Sequence, residues 1–258
     1  CNEGQAQAVV AASYNNLELV SGGELKPSKR LTDYGDEGGI VYVRAQTVTV
    51  KAGGKITANG YGFVPPNTDR REGGSECHAY PTDSVSNGNP NCSGGGSTAD
   101  NYCPAGGGGN KIAGSKSTGA PNNFANCNGN NAGQGGTAKG DAQANILTLG
   151  GAGGNTYYHN AGGGDDGRGG GLIVLGATTL KIEPGGLISA NGNDGHAYGG
   201  GTGAGGTVAL FVDNLINEGT IEAKAGESGS YGSANYSVGG LGGEGWVHEL
   251  SSITGIIN

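Results

Sequence analysis

"GGKITANG" at residues 53–60 returns as "GGLISANG" at residues 185–192. Extended both ways, the match becomes "GGIVYVRAQTVTVKAGGKITANG" (38–60) over "GGLIVLGATTLKIEPGGLISANG" (170–192), without a gap. Ten of the twenty-three positions are identical, and most of the others exchange one apolar residue for another. A repeat of this length decides the architecture before any other feature does. A third copy, "GGTVALFVDNLINEGTIEAKAG" (205–226), fits after a shortening of two residues. "NNLELVSGGEL" (15–25) matches the second half of the unit, and "GGEGWVHELSSITG" (242–255) matches the first half.

Each full unit reads as a strand with alternating apolar positions (Val41, Val43, then Val48, Val50), a Gly-Gly corner, and a short second strand such as Lys55-Ile56-Thr57-Ala58. Helix-free units of twenty-odd residues predict an all-β fold of the parallel β-solenoid (β-helix) type. One unit cannot bury its apolar side alone, whereas stacked units share a continuous core. The unit at 38–60 is therefore expected next to the one at 170–192, with Ile56 beside Ile188. Glycine pairs suit the corners because glycine takes φ > 0 without penalty. Asn59 and Asn191 occupy equivalent places, as members of a side-chain amide ladder or as simple Asn-Gly turns.

Three regions follow: N-terminal coils over 1–60, a glycine-rich insert over 61–169, and C-terminal coils over 170–258 with two shorter excursions at 193–206 and 227–245. The insert carries "SGGGS", "AGGGGN", "GQGG", "LGGAGGN" and "AGGGDDGRGGG". Such tracts are either flexible linkers or extended polyglycine-II helices packed side by side, where no side chain blocks close backbone approach.

Composition narrows the functional class. Of 258 residues 59 are glycine, none is methionine and one, Trp246, is tryptophan. The formal charge of −8 argues against nucleic acid and against electrostatic adhesion to anionic lipid. No apolar run is long enough for a transmembrane helix. The missing methionine points to a processed mature chain.

Cys77, Cys92, Cys103 and Cys127 all fall in the first half of the insert. An even number in an acidic, glycine-rich chain predicts two disulfides and an extracellular setting. Zinc would require CxxC-type spacing, with or without His78, and none occurs. Sequential pairing, Cys77 with Cys92 and Cys103 with Cys127, is the expectation, although four cysteines allow three pairings. Cys1 opens the chain in "CNEGQAQ", which resembles a bacterial lipoprotein after signal-peptide cleavage. That resemblance implies a lipid anchor; an intermolecular disulfide or an arbitrary boundary are the alternatives.

The repeat units, of the form GGxIxVxA…TVTVxxGGxIxANGG, make the chain similar to glycine-rich parallel β-solenoid proteins of bacterial surfaces over residues 15–60 and 170–255. The glycine excursions more loosely resemble the receptor-binding adhesins of phage tail-fibre tips. These resemblances imply structural or adhesive roles at the bacterial cell surface. The disulfide-bearing insert departs from the pattern.

Enzymatic readings find little support. A β-helix polysaccharide-degrading enzyme would cluster carboxylates with a basic proton acceptor. The nearest approach is Asp165 and Asp166 with Arg168 in "GGGDDGRGG", which has no acidic partner in another unit. His78, His159, His196 and His248 are scattered, and no nucleotide-binding or nucleophile motif occurs. "GGGDDG" resembles a calcium-binding nonapeptide, but those act through repetition. A Thr-x-Thr ice-binding ladder is also absent: "TVT" (47–49) faces "TLK" (179–181) and "NLI" (214–216). No metal or cofactor is expected.

The expected function is a non-enzymatic extracellular structural protein that self-associates into a filament. The apolar, uncharged "AQAVVAAS" and "SSITGIIN" predict uncapped ends, with Val9, Val10, Ile253, Ile256 and Ile257 as assembly edges. Residues 250–258 of one subunit are expected beside residues 6–20 of the next. Adhesion to surface glycans is the alternative, with Tyr157, Tyr158, Tyr198, Tyr231 and Tyr236 as stacking platforms.

Overall fold

The computed structural model describes residues 13–28, 39–64, 105–118, 133–154, 167–195, 199–227 and 239–251. Among them are nine strands and no helix, and every strand pairing is parallel. The long strands are β1 (Ser13–Leu19), β3 (Ile40–Val50), β5 (Leu172–Ile182), β7 (Thr207–Asn217) and β9 (Trp246–Leu250). They form one open sheet in the order β1-β3-β5-β7-β9. The short strands β2 (Glu24–Leu25), β4 (Lys55–Thr57), β6 (Leu187–Ser189) and β8 (Thr220–Glu222) form a second, in the order β2-β4-β6-β8.

The register reproduces the sequence repeat residue for residue. Ile40 faces Leu172, Val50 faces Ile182 and Ile56 faces Ile188, all at the 132-residue offset of the repeat. Between the next two units Ile182 faces Asn217 while Leu187 faces Thr220, so the two-residue shortening falls at the corner. Ile56 and Ile188 are both fully buried in the single core that the two sheets share.

Within the long strands the inward positions are Val41, Val43 and Ala45, then Val48 and Val50, so the alternation shifts phase after Ala45. The shift recurs in β5 between Ala177 and Leu180. Because both strands make the same step, the ladder between them stays in register and the apolar columns remain continuous.

The glycine corners have a common chemistry. The N–H groups of Gly23, Gly54 and Gly186 donate to the carbonyls of Val20, Lys51 and Glu183, three residues back. Gly22, Gly53 and Gly185 sit at the third turn position with φ of 78°, 76° and 82°. This is the geometry of a type II turn, which wants glycine there and favours proline before it, as Pro184 supplies. The corners also stack on one another: Gly22 N–H donates to Gly53 O, and Gly53 N–H to Gly185 O.

The described glycine tracts are neither helix nor strand. Residues 105–110 lie between other tracts and share backbone hydrogen bonds with Gly136, Lys139, Gly151, Gly154, Gly199, Thr202, Gly240 and Gly243. Ala105 and Gly108 donate to Gly199 and Thr202, and accept from Gly240 and Gly243. Gly106 and Gly109 accept from Gly154 and Gly151, and Gly107 accepts from Gly136. Partners thus recur every three residues. A side chain at Gly107, Gly169 or Gly203 would run into the carbonyl oxygen of Leu241, Gly150 or Arg168 respectively, well inside van der Waals contact. The glycines are there because neighbouring backbones occupy the space of a Cβ.

Cys1, Val9, Val10, Cys77, Cys92, Cys103, Cys127, Ile253, Ile256 and Ile257 lie outside the described residues, as do the five tyrosines of the glycan reading.

Candidate functional site

The two ends of the sheets are where this fold leaves its chemistry open. At one end, the described residues of β1 pair with Arg44–Val50 of β3. Among the described residues, Ile40–Val43 therefore have a ladder partner only in β5. Tyr14 stands over the column of Ala45 and Ala177 and is 45% exposed, while Leu17 and Leu25 continue the columns of Val48 and Ile56. At the rim, Lys51 pairs with Glu18 at 3.1 Å and Lys26 with Glu24 at 3.4 Å. Thr57 Oγ1 donates to Glu24 at 2.8 Å, and this bond, with the Lys26 ammonium, holds the Glu24 carboxyl below its ordinary value.

At the other end, the described residues of β9 pair with Thr207–Phe211. Val212–Asn217 of β7 and all of β8 then have a ladder partner on one side only, among the described residues. Val247 continues the column of Val41, Ile173 and Val208 and is 39% exposed. Leu215 and Ile221 close their columns half-buried. Glu249 occupies the inward place after Val43, Leu175 and Leu210, and it too is exposed.

Along the short-strand side the asparagines of the repeat tie layers together differently from an amide-on-amide ladder. Asn59 Oδ1 accepts the backbone N–H of Asn191 at 2.7 Å, and Asn191 Oδ1 accepts that of Lys224 at 2.8 Å. Asn191 Nδ2 donates to Glu222 Oε1 at 2.7 Å. The Lys224 ammonium, 2.7 Å from Glu222, is the main reason that carboxyl lies below its ordinary value, with Asn191 adding to it.

A second polar cluster, on the outer face of β7 and β9, has no counterpart in the sequence expectations. Asn110 is fully buried; its Nδ2 donates to the carbonyls of Gly205 and Gly206, and its Oδ1 accepts from Thr148 Oγ1 at 2.6 Å. Thr207 Oγ1 donates to Thr148 O, and Trp246 Nε1 donates to Lys139 O at 2.8 Å. His248 stacks on Trp246 with centroids 5.1 Å apart, and Lys111 lies over the indole at 5.5 Å. The imidazole is buried, and its Nε2 meets no hydrogen-bond partner among the described residues. Burial lowers its pKa from 6.5; Lys111 pushes the same way and Asp141 opposes. Burial raises the Asp141 carboxyl in turn, but the N–H groups of Asn145, Ile146 and Gln143 and the Asn145 amide outweigh it and hold the group low. The available signals were the Asn that ends "AGGGGN" and the lone Trp246.

Of the candidate acid–base set, only Arg168 lies among the described residues; Asp165 and Asp166 do not. The Arg168 carbonyl accepts the Asn193 N–H at 2.8 Å, within the glycine-tract network. Of the histidines, only His248 is described. Among the described residues, no group of three or more His, Cys, Asp or Glu is placed to hold a metal ion, and no helix is long and apolar enough to cross a membrane. No known family, curated protein or solved structure matches the chain.

Proposed function

We propose that this chain is a non-enzymatic structural protein of the bacterial cell surface, a parallel β-solenoid whose copies join end to end into a fibre. The observation that carries this reading is that, among the described residues, each sheet stops in an edge strand, and Tyr14 and Val247 are exposed there at the ends of apolar columns. Edge strands of stable monomers are blunted by charge, proline or a covering element. The ends differ from one another, so their contact is heterologous and propagates.

The solenoid reading draws on the residue-for-residue register of the first two full units and on the phase shift that β3 and β5 share. The glycine tracts are polyglycine II in this reading: the three-residue recurrence of their hydrogen bonds matches the three-fold period of that helix. An extracellular setting rests on the cysteine count and composition.

Negative-stain electron microscopy of the concentrated full-length protein tests the proposal. Unbranched fibres are expected. A monomer at high concentration, by scattering and by microscopy, would replace it with the adhesin reading.

A further inference from the structure

We propose that the outer face of the long-strand sheet carries a recess that binds a carboxylated sugar, with Arg44 taking the carboxylate and Tyr42 the ring. The site lies on a face rather than at an end, so it stands whether or not copies join end to end. Inward and outward places alternate along the first part of each long strand. The outward ones are Ile40, Tyr42 and Arg44 in β3, Leu172, Val174 and Gly176 in β5, and Thr207, Ala209 and Phe211 in β7, all in ladder register. Their exposure falls from strand to strand: Ile40 and Tyr42 are 46% and 38% exposed, Leu172 and Val174 are half-buried, and Thr207 and Ala209 are buried. The cause is the segment 139–148, which lies over β7 and β9. Its Thr148 and Lys139 carbonyls accept from Thr207 and Trp246, and its Asp141 acts on His248. Beyond this segment the face of β3 and β5 forms a lower floor, two strands or about 10 Å wide. Leu149 and Tyr61, packed against Gly39 and Gly171, close its head.

The floor is apolar, with one cation. Ile40, Tyr42, Leu172 and Val174 supply the apolar surface. Gly176, opposite Arg44, leaves a gap: a Cβ there meets only the Val43 carbonyl oxygen, at 3.9 Å. Lys51, Lys181 and Lys224 of the same sheets each pair with a carboxylate. Among the described residues Arg44 has no such partner, and its Nε is buried without a hydrogen bond. A guanidinium held among apolar neighbours carries a desolvation cost that the two oxygens of a carboxylate offset. Tyr42 stands two residues away on the same face, about 7 Å along the strand. A sugar's apolar side can rest on its phenol ring while the carboxylate reaches Arg44. Apolar lining with a few fixed polar groups is the usual composition of a small-ligand site. A peptide fits less well, because the backbone of β5 is paired on both sides and offers no ladder for an extended chain to join. The formal charge of −8 opposes an acidic ligand at long range, so the contact works at short range, where salt screens the rest.

Equilibrium titration of the full chain at about 0.15 M salt, where charges are screened beyond about 8 Å, tests the site. The probes are trigalacturonate, its neutral methyl ester and a triglutamate peptide. Trigalacturonate is expected to bind. Esterifying the probe, or Arg44→Gln in the protein, should each weaken binding by about tenfold or more, the loss of a charge-assisted pair. Gly176→Leu keeps Arg44 but fills the gap beside it, and should weaken binding as well. Both variants are compared with the parent by circular dichroism; the ester comparison uses the parent chain and decides even where a variant fails to fold. Trigalacturonate that does not bind up to about 10 mM overturns the site. So does an ester that binds equally well, or unchanged binding in both folded variants. Triglutamate binding as tightly as trigalacturonate overturns the sugar and makes the recess a seat for acidic peptides.

Discussion

At the residue scale, glycine is used in three physically distinct ways, and substitution by alanine separates them. Gly22 has a φ of 78° with open space around it, so its constraint is conformational alone. Gly22→Ala should cost about 1–2 kcal/mol, the penalty of a side chain in the left-handed region. Gly203 faces the Arg168 carbonyl within a backbone array that has no flexible side chain to yield. Gly203→Ala should cost about 1–3 kcal/mol, by overpacking. Gly176 lies within β5, and an added Cβ there meets only the Val43 carbonyl oxygen, at 3.9 Å. Gly176→Ala should stabilise by roughly 0.4–1 kcal/mol through the unfolded chain. Denaturant midpoints of the three variants check this order, and a neutral Gly203→Ala would show that the tracts are loosely packed.

At the element scale, β9 is the strand most exposed to regulation by pH. It is held to the outer layer by Trp246 and by the buried His248, on which Lys111 and Asp141 act from the segment above. The folded pKa of His248 is depressed, so the fold favours the neutral imidazole. Its contribution is therefore fully present above the unfolded value of 6.5 and is lost as pH falls below it toward the folded value. Carboxylates held low, those of Glu24, Asp141 and Glu222, lose their contributions only as pH falls from about 4.5 and below, which leaves the window between pH 6.5 and 5 to histidine. His248→Phe, which preserves the stack on Trp246, should flatten the loss of stability across that window. Urea midpoints at pH 7.5 and pH 5.5 for both proteins measure it; equal losses would show that His248 is not the group responsible.

At the scale of the whole molecule, the proposed end-to-end assembly would be linked to stability. A stack of so few layers keeps much of its apolar column at its ends, where Tyr14, Leu17, Leu25, Val247, Leu215 and Ile221 stay partly wet. Covering several such side chains at about 25 cal/mol per Å² gains several kcal/mol before the cost of association. Copies that bind one another's folded ends stabilise the folded state by mass action. The melting temperature should accordingly rise with protein concentration above the assembly threshold, while calorimetry below it gives a constant value. A melting temperature independent of concentration over a hundredfold range would argue that the ends do not meet.

The sequence by itself determined the all-β class, the parallel pairing of unit on unit and the register. A parallel ladder keeps equivalent residues adjacent, so the 132-residue spacing of "GGKITANG" and "GGLISANG" became the spacing of Ile56 and Ile188 in the core. The corner glycines were equally legible, because positive φ is a property of a single residue. Two things were decided by the tertiary structure alone. The asparagines bond to the next layer's backbone N–H, a choice set by where that N–H lies. The tracts around Ala105–Asn110 bond to partners from distant parts of the chain, and glycine carries no side-chain pattern to announce which.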